Sequence, residues 1–333
     1  MKPKVSIITP TYNHSEVIAE CLYSTIGQTF EDWEQIVVDD GSSDGTPEIV
    51  EELSKADPRI RLIRESHKGI MRLAETYNLA LSKAQGELIA ILEGDDFWPS
   101  TKLETQVKIH EDEKIILSHG HVSLINNGKV VGYYPAPPTL GEESTEAYFR
   151  FALLKQSCIM PVSVILRRDA VERLGGFHQD NGFPAVDYST WIRLFQLPGK
   201  VFYYPDCLGF WRQTPQQTTQ KVFDESTAEL GLRIALAQFD KLDPEARTAL
   251  KVSRNRIISE NYSRSIVDVY LGVLRRALRV HDRETARKCG KVLIRRGKMK
   301  RKVEGFAGLV AAELGFDLES VFNLFDKTTE LNG

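Results

Sequence analysis

The sequence comprises 333 residues, 42% hydrophobic and 27% charged, with a formal net charge of −3. That length suits a catalytic domain with an appendage, and the composition is that of an ordinary soluble globular protein. The near-neutral charge gives no global reason to expect nucleic acid as a partner, no apolar run reaches transmembrane length, and Cys21, Cys158, Cys207 and Cys289 lack metal-ligand or disulfide spacing. The N-terminus passes straight from Met1-Lys2-Pro3-Lys4 into a short apolar run broken at Pro10, which is no signal segment, so a cytoplasmic protein is expected.

The chain begins with an apolar strand over 5–8 that runs into the loop-forming stretch Thr9-Pro10-Thr11-Tyr12-Asn13. Helical spacing of Val17, Ile18, Cys21, Leu22 and Ile26 predicts a helix over 14–27, stopped at Gly27. A strand over 33–38 ends in Asp39-Asp40-Gly41-Ser42-Ser43-Asp44-Gly45, with Thr46 as the expected cap of a helix that has Pro47 at its first position. A strand over 60–64 and a helix over 70–83 follow. This alternation implies a parallel sheet with right-handed crossovers.

The fourth strand, over 88–92, ends in three carboxylates, Glu93, Asp95 and Asp96, around Gly94. Such close acids repel, and a fold keeps them together to hold a cation or to tune a proton; a solvated turn capping the next helix is the other reading. The carboxyl ends of central strands are where open α/β sheets bind ligands. No Gly-x-Gly-x-x-Gly follows the first strand and no Walker lysine occurs, so acids with a metal, rather than a glycine cradle, would meet a phosphate.

The run from Val5 to Asn13, then Gln28-Thr29-Phe30, Val37 to Thr46, and Gly86-Glu87 through Asp95-Asp96 and Trp98 resemble family 2 glycosyltransferases of the GT-A fold, over roughly residues 4–215. The resemblance implies a Rossmann-like, mostly parallel sheet and an inverting, nucleotide-sugar-dependent enzyme of the hexosyltransferase class, of the kind that serves polysaccharide biosynthesis. It implies that Pro10, Thr11 and Tyr12 flank the nucleobase, with Tyr12 offering a stacking face. Asp40 would accept a hydrogen bond from the base, with Asp39 beside it. Asp95 closes the family's Asp-x-Asp motif and would ligate Mn²⁺ or Mg²⁺ on the diphosphate. Gly94 lies within that motif, Glu93 stands in place of its first Asp, and Asp96 matches a further acid. Where the family shows Ala-Arg-Asn, this chain has Thr76-Tyr77-Asn78, with Tyr77 in the place of the Arg, so Arg72 or Lys68 would supply the cation for the phosphates.

Further along, the pattern predicts an amphipathic helix over 101–110, a hairpin over 115–126 and 129–133 turning at Asn127-Gly128, and a Pro-rich loop over 135–141 that could border the sugar. His119 and His121 share a strand face; satisfied or exposed histidines are the expectation, with metal ligation as the alternative. Helices over 144–154 and 168–174 flank a strand over 162–167. Asp187, followed by Tyr188 to Leu194, matches the family's catalytic base at a helix start, where the dipole favours the ionised acid. After a strand over 200–204, Leu208 to Gln217 resembles the family's closing Tyr-Arg-x-His segment, with Arg212 as a donor contact and Thr214 in the place of the His.

Beyond residue 220 the texture becomes helical. Asp243 with Pro244 opens one helix, Ile266, Tyr270, Leu274 and Leu278 stripe another, and Asp282 and Asp317 are expected caps. The reading is a GT-A catalytic domain over 1–220 and an all-helical appendage over 221–333. The basic stretch 283–302 is either a solvated helix and loop or a patch for anionic lipid headgroups, which would make the enzyme peripheral on the inner membrane face. The expected function is metal-dependent transfer of a sugar from a nucleoside-diphosphate donor, a UDP-sugar, to a hydroxyl of a glycan or lipid-linked acceptor. The alternatives are a non-catalytic nucleotide-sugar-binding scaffold and a nucleotidyltransferase.

Overall fold

The computed structural model describes residues 2–134, 141–156, 159–213, 225–261, 283–297 and 299–314, with 267, 270, 271 and 274. Four strands, β1 (Val5–Thr11), β2 (Trp33–Asp39), β3 (Ile60–Arg64) and β4 (Leu88–Ile91), alternate with α1 (Ile18–Ile26), α2 (Thr46–Ala56) and α3 (Leu73–Lys83). They pair in parallel in the order β3-β2-β1-β4. Every residue of β1, β2 and β4 is buried, as in a sheet covered on both faces. The register sets Thr11 opposite Asp39 and Ile8 opposite Ile91, so the loops leaving β1, β2 and β4 emerge along one edge.

Past β4 the sheet becomes mixed. The elements α4 (Lys102–Ile109), β5 (Ile115–Asn126), β6 (Lys129–Tyr133), β7 (Gly141–Ser144), α5 (Thr145–Lys155), β8 (Ile165–Arg167), α6 (Arg168–Arg173), α7 (Asp187–Leu194) and β9 (Lys200–Arg212) follow. They complete a nine-stranded sheet, β3-β2-β1-β4-β8-β5-β9-β7, with β6 on β5. β8 runs antiparallel to both β4 and β5, and β9 runs parallel to β5.

Several boundaries move for local reasons. α1 starts at Ile18, not at 14: the His14 carbonyl is shared by the N–H groups of Val17 (2.9 Å) and Ile18 (2.8 Å) in a turn ahead of the helix, and the N–H groups of His14 and Ser15 go to the side chains of Thr46 (2.8 Å) and Asp44 (3.0 Å). Asp44, not Thr46, heads α2: its Oδ1 accepts from the Thr46 N–H at 3.0 Å. The expected helix over 70–83 begins with a tight turn, Ile70–Arg72, before α3. β9 reaches Arg212 instead of stopping at 204, and that extension matters for the site.

A second compact unit comprises residues 153–156 and 219–333. Its described elements are all helices: α8 (Glu225–Asp240), α9 (Pro244–Ala249), α10 (Arg254–Glu260), α11 (Arg283–Arg296) and α12 (Met299–Leu314). Asp243 caps α9 through the Ala246 N–H at 2.8 Å. Tyr270 and Leu274 are buried, whereas Ile266, Leu278, Asp282 and Asp317 lie outside the described residues. Among the described residues no helix is long and apolar enough to cross a membrane.

Candidate active site

The loops after β1 and β2 are stitched to each other. Asn13 accepts the Ser43 N–H at 2.8 Å and gives its own N–H to Ser42 Oγ at 2.8 Å. Burial opposes the charge of Asp44, yet hydrogen bonds from Thr46 and Ser15 outweigh it and hold its carboxyl down at about 2. Asp39 turns inward and accepts from the backbone and hydroxyl of Ser42. Asp40 receives the N–H groups of Lys68 (2.7 Å) and Gly69 (3.0 Å), one on each oxygen. The loop over 65–69 can come this close because Gly41 has φ +72° and no side chain: a Cβ there would sit 2.6 Å from the His67 nitrogen. His67 brings Nδ1 to 3.1 Å from Asp40 Oδ2 and stacks on Tyr12 at 4.2 Å between centroids and 23° between planes. Tyr12, 39% exposed, therefore stands at the mouth above Asp40 with a partner ring that sequence reasoning missed. A lone histidine in a loop carries no periodic signal that could have found it.

The acidic turn after β4 lies one strand away. Its oxygens from Glu93, Asp95 and Asp96 fall within 4.8 Å of one another. Gly94 presses so closely on β1 that a Cβ would meet Thr11 Oγ1 at 2.5 Å and His14 Nδ1 at 2.9 Å, and its N–H is held by the Pro10 carbonyl at 3.0 Å. Gly94 is thus a packing glycine whose amide is already engaged. From behind, Arg212 closes the turn: its N–H reaches Asp96 Oδ1 at 2.9 Å and its Nε the Asp95 carbonyl at 2.9 Å, while the guanidinium pairs with Glu20. Phe97 and Phe210 stack at 4.7 Å and exchange backbone hydrogen bonds, fixing the end of β9 to the turn.

Burial and the charge of Asp95 push the Glu93 carboxyl up to about 7, and burial with Asp95 and Glu93 pushes Asp96 well above the carboxylate range. Three oxygen-donor groups that destabilise one another's charge fit a hard divalent cation.

Glu93 and Tyr77, two of the departures from the family pattern, meet: Tyr77 donates its hydroxyl to Glu93 Oε1 at 2.6 Å. Tyr77 is buried, edge-on to Phe177 at 5.1 Å. Phe177 is fastened to α3 by Asn78, which accepts the Phe177 N–H at 2.7 Å and donates to its carbonyl at 2.9 Å. The same loop is tied to α7: Thr190 Oγ1 accepts from the His178 N–H, and Arg193 grips Asp180 with two hydrogen bonds of 2.9 and 3.0 Å. α7 thereby presents Asp187 close enough for its charge to raise the pKa values of both Tyr77 and Glu93. Asp187 Oδ1 accepts the Tyr188 N–H at 2.7 Å.

The expected cations are less committed. Arg72 is exposed and bonds Glu75 at 2.7 and 2.8 Å, and Lys68 pairs with Glu65 at 2.5 Å. Exposed pairs of the Arg72 kind are easily exchanged for another anion. His119 is buried with Nε2 2.8 Å from the Tyr148 hydroxyl, and the metal cluster among the described residues does not include it. Thr214 and residues 135–140 lie outside the described residues.

Residues 6–175 match the family profile for glycosyl transferase family 2. The chain belongs to that family. Among its relatives, a putative teichuronic acid biosynthesis glycosyltransferase of Bacillus subtilis, TuaG, is 31% identical over 63% of this chain and 79% of its own. The Escherichia coli UDP-Glc:alpha-D-GlcNAc-diphosphoundecaprenol beta-1,3-glucosyltransferase WfgD is 34% identical over 58% of this chain and 70% of its own. Residues 1–349 of S. aureus TarS, crystallised with UDP-GlcNAc, superpose with a TM-score of 0.60 at 16% identity, over 94% of this chain and 90% of that one; the longer TarS chain is spanned to 55%. The Pyrobaculum calidifontis mannosyltransferase PcManGT, in complex with GDP-Man and Mn²⁺, gives 0.53 at 21% identity, over 96% of this chain and 88% of its own. This family 2 glycosyltransferase therefore has the GT-A-like fold that its opening motifs implied.

Proposed function

We propose that the protein is an inverting glycosyltransferase that moves a sugar from a UDP-sugar to a hydroxyl of a lipid-linked or other glycan acceptor. The three-carboxylate turn after β4, linked through Tyr77, Phe177 and the loop that follows it to α7 and its Asp187, carries this reading. Catalysis is assigned to residues 1–220, with 221–333 as an appendage. Tyr12 and His67 offer ring faces to the base, and Asp40, oriented by two backbone N–H groups, accepts from its ring N–H. Pro10, Thr11 and Asp39 shape that pocket. Glu93, Asp95 and Asp96 would hold Mn²⁺ or Mg²⁺, which supplies charge neutralisation to the leaving diphosphate.

Asp187 takes the proton of the acceptor hydroxyl as that oxygen attacks the anomeric carbon from the face opposite the departing UDP. Tyr77 holds Glu93 in place, and Arg212 fixes the backbone of the turn. Arg72 exchanges Glu75 for a donor phosphate. WfgD, by its name, uses UDP-Glc and a diphosphoundecaprenol-linked acceptor, which supports donor and acceptor of this class here.

The test is to follow product nucleotide with wild type and Asp187→Asn. The expected result is UDP release that Asp187→Asn abolishes while donor binding persists. Pyrophosphate instead of UDP would make the protein a nucleotidyltransferase; binding without turnover under any divalent metal would make it a scaffold.

A further inference from the structure

The hairpin of α11 and α12 exposes a face that its own packing does not use. The two helices cross with backbones in contact: a Cβ on Gly290 would fall 2.9 Å from the Gly305 carbonyl oxygen, and one on Gly305 2.7 Å from Leu293 Cβ. Ala286, Cys289 and Leu293 of α11 and Ala311 and Ala312 of α12 are buried. Outside that seam, α12 carries Val303, Phe306 and Val310 in the open, with Phe306 64% exposed. Spacings of three and four residues put them in one stripe along the helix.

The stripe has a basic border. Glu313, one turn beyond Val310, receives two hydrogen bonds of 2.7 Å from Arg287, and its carboxyl is held below the usual range by Arg287 first, with Arg283 and Lys291 adding to it. Three cations of α11 thus gather beside the Phe306–Val310 end. Lys288 and Arg295 are also exposed on α11, and Lys302 precedes Val303. Residues 283–302 hold ten Lys or Arg and one acid, Glu284, in a chain whose net charge is −3.

We infer that this hairpin docks on an anionic lipid bilayer, with Val303, Phe306 and Val310 entering the boundary of the acyl chains and the flanking lysines and arginines meeting the headgroups. An amphipathic helix with cations around an apolar stripe has both terms such binding needs. A two-fold contact with a second copy would set these cations against themselves. A nucleic-acid backbone would leave Val303 and Val310 without a purpose. The inference deepens the proposed function, since a lipid-linked acceptor resides in such a surface.

Co-sedimentation of the full chain with phosphatidylcholine vesicles, with and without about one third phosphatidylglycerol, tests it. The expected result is salt-sensitive binding to the anionic vesicles alone. Phe306→Ser weakens it about tenfold by removing the aromatic anchor. Lys291→Glu and Arg295→Glu weaken it about fivefold each or more. All three positions are exposed, and thermal unfolding of the variants checks that the fold is kept. Equal binding to both vesicle types, or anionic binding untouched by these variants, overturns the inference. So does an oligomer that Phe306→Ser dissociates while vesicle binding stays the same, which would make the face a contact between copies. The assay needs neither donor nor acceptor, so its failure leaves the glycosyltransferase reading intact, and failure to release UDP leaves the docking surface intact.

Discussion

Two parallel strands of the molecule end in clustered acids, and the fold handles the two ends in opposite ways. After β2, Asp39 and Asp40 are met by hydrogen-bond donors, the hydroxyl and amide of Ser42 and the amides of Lys68 and Gly69. After β4, Glu93, Asp95 and Asp96 are pressed against one another, and burial with mutual repulsion drives two of them toward protonation. A carboxylate held by fixed N–H groups keeps its direction, which suits reading a neutral ligand's hydrogen bonds. Carboxylates that repel in a shared site suit a cation. Residue type alone does not assign the role; the spacing of the acids from one another and the groups around each do.

Removing one acid from each end tests the contrast. Asp95→Asn should lower kcat/KM on the order of 10³-fold, as should chelation of divalent metal in wild type, with initial-rate assays as the measure. In chelator-treated protein the same substitution should leave stability equal or higher, by about 1 kcal/mol, because it relieves repulsion. Asp40→Asn should do the reverse to stability. It turns an amide toward the Lys68 and Gly69 N–H groups and should cost about 1–3 kcal/mol in urea unfolding, together with a roughly tenfold loss of UDP affinity. If both variants were equally destabilised, the two ends would not differ in this way.

A smaller effect separates Tyr77 from the acids that it supports. Tyr77→Phe keeps the ring against Phe177 but removes the hydrogen bond to Glu93, and should lower kcat/KM about tenfold with the donor KM carrying most of the change. The slope of stability against pH sharpens the contrast last. Glu93, held at about 7, keeps a proton in the native state that the unfolded chain sheds near its ordinary value of about 4.3. Its contribution to the stability of chelated protein therefore declines as pH rises between those values. Burial instead depresses His110 and His119 to about 3, so the unfolded chain gains protons first and stability declines as pH falls from about 6.5 toward 3. Glu93→Gln should flatten the first slope, of about 1 kcal/mol per pH unit, and leave the second, as read from urea midpoints across pH.

Much of the fold was legible because β1, β2 and β4 are short, carry apolar runs at Ile7-Ile8, Ile36 to Val38 and Leu88 to Ile91, and are separated by helices with ordinary periods, and because the acids sit at strand ends. Contacts made across long sequence distances were less legible. The pairing of Tyr77 with Glu93 turns two apparent defects into one interaction, and no local pattern predicts it. Lys102 reads like any surface lysine of an amphipathic helix, yet it is fully buried, with Nζ bonded to Gln106 and 4.4 Å from the centre of the Trp98 ring. Burial alone drives its amine well below the usual lysine range. The length of β9 was also hidden, since Pro205 and Asp206 interrupt its pattern while β5 carries the strand past them to Arg212.

The last of these features has a consequence for synthesis. The backbone N–H that holds Asp96 and the guanidinium that holds the Asp95 carbonyl both belong to Arg212, 116 and 117 residues downstream. On a ribosome the parallel strands β1 to β4 are complete while Arg212 is still to be translated, and at about 5–20 residues per second the wait lasts from about six seconds to more than twenty. Throughout that interval the nascent chain carries three neighbouring carboxylates without their closing clasp. The acidic turn is thus made more than a hundred residues before the strand end that finishes it.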